Sequence, residues 1–293
     1  MFFLSDIEYK LLINRLLPLV RENPVDQSLR GWNWHTPPLK PEYDVKIPMF
    51  LVCSKYCPTA RDVYLYMVEG KRGIVNEKMI LGAAIHATVR TAFRSFIKNK
   101  NVNFDEWYET VLREKKVERK LEMVRKRCKA IWDYVITSCK SRLIEAMSRQ
   151  PYATRDDIIA MTIPFIVEHR VSGELLGLSG LLKIDCFDYM RNIIFDIKVS
   201  PEEYDWYRLF PTGYALVLES VYEVPIDIGC IVYVWFKDDR PIVKRDLFYI
   251  NDDLRSWWIE ERDEKARYVA LKIDPGLPKK CYSECMYLGV CRP

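Results

Sequence analysis

Three side chains in the middle of the chain have the types and spacing that hydrolytic chemistry needs. Asp196 and Lys198 lie in NIIFDIKVS (192–200), and Asp185 lies in the preceding GLLKIDCFDY (180–189). Both stretches read as strands, on which successive side chains take opposite faces. Ile193, Phe195, Ile197 and Val199 then face a core, and Asp196 and Lys198 stand side by side on the other face. Asp185 shares a face with Lys183, opposite Leu182, Ile184 and Cys186. If the two strands form a hairpin through Tyr189–Asn192, Asp185 and Asp196 come close. Paired carboxylates need a proton or a cation between them, and oxygen ligands suit Mg²⁺ or Mn²⁺. Lys198 beside them can orient a water or offset charge developing on a phosphate. A half-exposed hairpin with Asp–Lys pairs across it has the same pattern, so the acids need a further partner. Of the three histidines, His86 is the best placed. It follows Gly82 by one helical turn, and glycine lets another element approach closely. His35 sits in a proline-rich arm. His169, on a strand beside Glu168, has no acidic pair following at suitable spacing.

A second group is the tail, CYSECMYLGVCRP (281–293), with Cys281, Cys285 and Cys291. Three thiolates suggest a metal centre, and a four-coordinate site needs one more ligand. A structural Zn²⁺, an iron–sulfur cluster, or free or disulfide-paired cysteines are all open on these residues alone. Cys128, Cys139, Cys186 and Cys230 fall on helix or strand patterns and are expected in the core.

The elements that must position these residues follow from hydrophobic period. Residues 1–50, with six prolines, read as an irregular packed arm. A helix is expected from Asn76, its cap, to about Lys98, carrying His86. Helical pattern then runs from Phe104 to Arg149, as two helices or one long bent one. Three strands follow (MTIPFIVEHRV, GLLKIDCFDY, NIIFDIKVS), then a helix over 212–223. Two more strands flank the turn KDDR, and a last helix runs from Asp252 to Leu271 behind Asn251 as cap. The order implies an α/β core with a helical insertion ahead of the sheet.

Composition sets broad limits. The chain has 293 residues, 49% hydrophobic and 29% charged, which is globular composition. No apolar run reaches the ~18 residues of a membrane span. Asp6 and Glu8 interrupt MFFLSDIEYK before a signal-type stretch develops, so a cytoplasmic location is expected. Nine cysteines inside a cell read as thiols or metal ligands. Two glutamines among abundant Lys, Arg and Glu lean towards a thermophile, whose cytosol can also hold disulfides. Net charge is only +4, but Arg113–Lys129 holds nine basic residues against three glutamates. Such a stretch is commonly a solvated helix face, and it also suits a phosphate backbone.

A helix His, a strand Asp, D-x-K on the next strand and a helix with a tyrosine together resemble the RecB-type branch of the PD-(D/E)xK nucleases. The resemblance implies a mixed central sheet flanked by helices, with His86, Asp185, Asp196 and the Ile197 carbonyl as ligands of Mn²⁺ or Mg²⁺. It also implies Lys198 as catalytic base or positioner and Tyr214 as the motif tyrosine. Phe210 stands where that family usually has Gln, and Leu182 stands where it has the Gly three residues before the Asp, with Gly180 displaced. One group of these nucleases carries a [4Fe–4S] cluster on one cysteine before the core and three after it. CSKYCPTARDVYLY resembles the first segment, which implies Cys57, with Cys53 in reserve, joining Cys281, Cys285 and Cys291. With RGWNWHTPPLKP, the match extends over nearly the whole chain to the CRISPR-associated iron–sulfur exonucleases, the fourth Cas family, in their crenarchaeal accessory adaptation subtype. The implied layout is an arm with the first cluster cysteine (1–75), a helical region (76–150), a nuclease core (151–272, with helix 76–98) and a cysteine segment (273–293). The implied role is trimming of single strands or DNA ends for spacer acquisition, with the CRISPR integrase proteins as partners, no membrane and a homo-oligomer compatible. Two rivals stand beside it: a general repair exonuclease, and a non-catalytic DNA-binding assembly factor, which the Phe210 departure favours.

Overall fold

A computed structural model describes residues 1–115, 122–282 and 285–291 of the chain. Its centre is a five-stranded mixed sheet in simple order: β1 (Phe165–Val171), β2 (Leu182–Asp188), β3 (Ile193–Lys198), β4 (Ile228–Lys237) and β5 (Arg240–Tyr249). Only β3 and β4 pair in parallel; the other neighbours are antiparallel. A parallel pair needs a crossover, and the Leu209–Tyr222 helix supplies it. The β4–β5 turn is the expected KDDR, where Asp238 and Asp239 both take positive φ, 50° and 58°. Two consecutive left-handed residues match the right-handed twist of a hairpin.

Each sheet face has its own core. The Glu77–Ile97 and Glu122–Arg149 helices pack Ile85, Phe93 and Val135 against Phe195, Ile197 and Val232. On the opposite face the Leu209–Tyr222 and Asp252–Ala270 helices pack Leu216 and Trp258 against Ile194 and Ile231. Asn76 and Asn251 cap their helices as expected, accepting from Met79 N and Leu254 N. Cys128, Cys139, Cys186 and Cys230 are buried in the first core, as their patterns imply. Among the described residues no helix is long and apolar enough to cross a membrane.

Three expectations change. The arm is not irregular throughout: residues 6–22 are continuously helical, with a π turn at Leu12–Leu16. Ser5 and Glu8 form a capping box that starts this helix, and Pro18 falls where a new first turn begins, so it costs little. The crossover helix begins at Leu209 rather than 212, preceded by a 3₁₀ turn at Asp205–Arg208. The basic stretch lies partly outside the described residues. Of its described cations, Arg125, Arg127 and Lys129 pair with Asp105, Asp239 and Asp133, and Lys126 is exposed, which fits the solvated-face reading.

Candidate metal and cysteine sites

The acids meet because β2 and β3 form the expected hairpin, with Cys186 opposite Phe195 and Phe187 opposite Ile194. Strict alternation fails at Asp185, however. Leu182 and Ile184 belong to the crossover-helix core, whereas Cys186 belongs to the other. The change of face coincides with a break in the β1–β2 ladder. Val167 pairs with Cys186 and His169 with Ile184, and between them Glu168 takes a left-handed φ of 49°. A non-glycine residue there is strained. The turn frees the Asp185 carboxylate to reach across: its Oδ2 accepts from Ile197 N at 2.8 Å, and its Oδ1 meets His86 Nδ1 at 2.9 Å.

Asp196 is buried, 5% exposed. Lys198 Nζ forms an ion pair with its Oδ2 at 2.9 Å, and among the described residues no other polar group bonds that oxygen. Burial, with the nearby Asp185 charge, raises its pKa to about 6 against the pull of Lys198. Asp185 goes the other way: although burial opposes it, His86 and the Ile197 N–H hold its carboxyl below the usual range. His86 is correspondingly raised, Asp185 outweighing burial. Tyr214 lies in the field of both acids and of Cys53, and burial pushes its hydroxyl well above the ordinary tyrosine value, so it remains a donor. Phe210 lies directly under the lysine, with Nζ 3.4 Å from its ring centroid, and Tyr207 lies 5.1 Å away.

His86, Asp185, Asp196, Ile197, Lys198 and Tyr214 are thus brought together. Gly82 serves this group differently from the expectation. Among the described residues a Cβ there would meet nothing within 4 Å, so none of them packs on it one turn before His86. His169 lies elsewhere, stacked on Tyr222 and Phe187. Among the described residues no three metal-ligating side chains, here or among the cysteines of the arm and tail, stand close enough to hold an ion as they are, and His86 and Asp185 are bonded to each other. The donor chemistry nevertheless suits a hard divalent cation, and the buried Asp196 Oδ2, held by the Lys198 ion pair, is an oxygen such an ion would also engage.

The second site forms where the tail returns to the arm. Ile74 N donates to Met286 O at 2.8 Å, Thr59 Oγ1 to Gly276 O at 2.8 Å, and Arg61 clamps Asp274. This sets Cys57 in the electrostatic surroundings of Cys285 and Cys291, with Cys281 also beside Cys291. All four are partly exposed. Cys53 is elsewhere, fully buried in the core, where desolvation pushes its thiol up to about 12.

With this geometry in view, the similarities are informative. A family model described as "CRISPR-associated exonuclease Csa1" matches residues 1–293. The chain belongs to the Csa1 family. A relative of that name from Saccharolobus solfataricus is 32% identical over 296 residues, covering 97% of each chain. Another, from Thermoproteus tenax, is 26% identical over 275 residues, covering 93% of this chain and 94% of the relative. The His86–Lys198 site and the tail–arm cysteines are therefore features of a Csa1 family member. Sequence reading missed Tyr207 and underrated Phe210, whose ring could be placed under Lys198 only once the helix start was known.

Proposed function

We propose that this Csa1 family member is a divalent-metal-dependent deoxyribonuclease that trims single strands or DNA ends for CRISPR spacer acquisition, acting with the integrase proteins. The observation that carries the reading is the convergence of His86, Asp185, Asp196 and Lys198, with Asp196 buried and its Oδ2 ion-paired to Lys198. His86 and the two aspartates, with the Ile197 carbonyl, would hold Mg²⁺ or Mn²⁺, for which the His86–Asp185 hydrogen bond must open. A bound divalent ion polarises a phosphate oxygen and lowers the pKa of an attacking water. Lys198 holds a positive charge beside the acids, where the phosphorane-like charge of the transition state develops. Tyr214, kept protonated, can donate to a phosphate oxygen. Asp196→Ala should abolish Mg²⁺- or Mn²⁺-dependent cleavage of end-labelled single- and double-stranded DNA while the far-UV spectrum stays native. Wild-type cleavage by that variant would exclude the assignment.

The four tail and arm cysteines are the matching proposal for a [4Fe–4S] cluster on Cys57, Cys281, Cys285 and Cys291, with thiolate ligation throughout. Its role is structural: it fastens the C-terminal segment to the arm. Protein purified anaerobically should be brown, and Cys285→Ser should lose the visible absorption. A colourless wild type with one equivalent of zinc would replace the cluster by a zinc site.

A further inference from the structure

We infer that Phe210 and Tyr207 form an aromatic seat that positions the Lys198 ammonium for catalysis, in place of a polar side chain. The lysine projects from the end of β3 with its side chain only 16% exposed. An ammonium has three donors and no acceptor, and burying it without partners is costly. Among the described residues its ionic partner is Asp196, at 2.9 Å. Two rings also face it, Phe210 at 3.4 Å and Tyr207 at 5.1 Å from their centroids. The negative face of an aromatic ring attracts a cation, and more so where water is excluded.

The seat is itself held rigid. Tyr207 is buried, its hydroxyl is 3.1 Å from that of Tyr56, and its ring meets Trp206 edge-on at 4.4 Å. Phe210 stands in the first turn of the crossover helix, at the position where a glutamine would compete for the ammonium with an amide oxygen. A ring offers attraction without fixing a hydrogen-bond direction. Lys198 is thereby kept near Asp196 while its N–H donors stay free for a phosphate or a water. Phe210 is a positioning residue, because it acts through Lys198. The seat matters to catalysis only on the nuclease reading above.

Two measurements separate the seat from that reading. With ¹³C-lysine in Mg²⁺ buffer, the Lys198 ε-methylene should resonate upfield of the other lysines, assigned by its loss in Lys198→Arg. Phe210→Leu should return it to the bulk position, and Phe210→Tyr should keep it shifted. In cleavage assays Phe210→Leu should lower kcat about 3- to 30-fold, the span of a partly desolvated cation–π contact. KM for the oligonucleotide should not change, and Phe210→Tyr should restore most of the rate. An unshifted Lys198 in the wild type, or full kcat in Phe210→Leu, overturns the seat. A wild type that shows the shift but cleaves nothing overturns the nuclease reading, and with it the seat's catalytic role, while the contact itself stands.

Discussion

Two regions of this molecule bury charge, and they treat it in opposite ways. Behind the sheet, Arg255 and Glu219 are both fully buried and doubly bonded, at 2.8 and 2.9 Å. Arg30 joins Glu219 and Asp227, and the Gly31 and Ile226 amides complete the Glu219 carboxylate. Arg255 also donates to the carbonyls of Leu29 and Ile226. Apart from the Arg30 Nε, the fully buried side-chain donors and acceptors of this network are satisfied. At the candidate site Asp196 is nearly as buried, yet its Oδ2 meets only the Lys198 ammonium, at 2.9 Å. The first arrangement ties the arm to two helices. The second leaves a buried carboxylate with a single counter-ion and a raised pKa, and that sparse pairing marks a site rather than a strut.

The glycines of the two regions repeat the contrast. A Cβ on Gly31 would come within 2.0 Å of the Leu216 carbonyl oxygen, whereas one on Gly82 would meet nothing within 4 Å. Breaking the network should therefore have the largest effect on folding. Glu219→Ala strands Arg255 without its carboxylate and should cost about 3–5 kcal/mol, read as a fall in the urea midpoint with an unchanged slope. Gly31→Ala should be comparably damaging, because main chain cannot yield to it. A Glu219→Ala midpoint within error of wild type would erase the distinction between the regions.

Asp196→Asn should act in the other direction. The folded pKa of about 6 lies above the ordinary value of 3.8, so the native state holds a proton there that the unfolded chain has released. The stability contributed by that proton is present below about pH 4 and is lost as pH rises through 6. At pH 8 in chelator the ionised buried acid is thus a penalty, of order 3 kcal/mol at most from the size of the shift. Its amide should raise Tm by several degrees while removing cleavage. Glu219, held below its usual range by Arg255 in spite of burial, has the opposite sign. Its contribution is present above about pH 4.5 and falls away on further acidification. A stability profile from pH 8 to 4 should rise for the wild type relative to Asp196→Asn. Parallel profiles would show that Asp196 is not under strain.

How much of this was legible beforehand depends on the reach of each interaction. Asn76 and Asn251 as caps, the KDDR turn, and Asp196 beside Lys198 all follow from neighbours within a few residues. The meeting of Asp185 with Asp196 follows from alternation and a short turn. The twist at Glu168 does not, since a positive φ at a glutamate carries no compositional sign and it moves Ile184 to the other core. The Arg30–Glu219–Arg255 network joins three distant segments that no local period connects. Phe210 looked like a missing glutamine, and its ring acquires meaning only from the lysine above it. The capping box of Ser5 and Glu8 is a local S-x-x-E signal, legible in the sequence although the arm around it reads as irregular.

The smallest effect tests the open side of the comparison. Gly82 lies within the Glu77–Ile97 helix, where glycine is less favourable than alanine by about 0.5–1 kcal/mol. Nothing in the protein's own packing requires it, because the added methyl would meet no atom. Gly82→Ala should therefore stabilise the protein slightly, by up to about 1 kcal/mol, an increment that a urea titration resolves. Its position one turn before His86 places that methyl on the approach to the acids. If the open surface is where DNA passes, Gly82→Ala should raise KM several-fold, and Gly82→Leu should do so more severely, although both variants fold. If cleavage by Gly82→Leu equals the wild type, the strand enters from another direction and the openness of the site lies elsewhere.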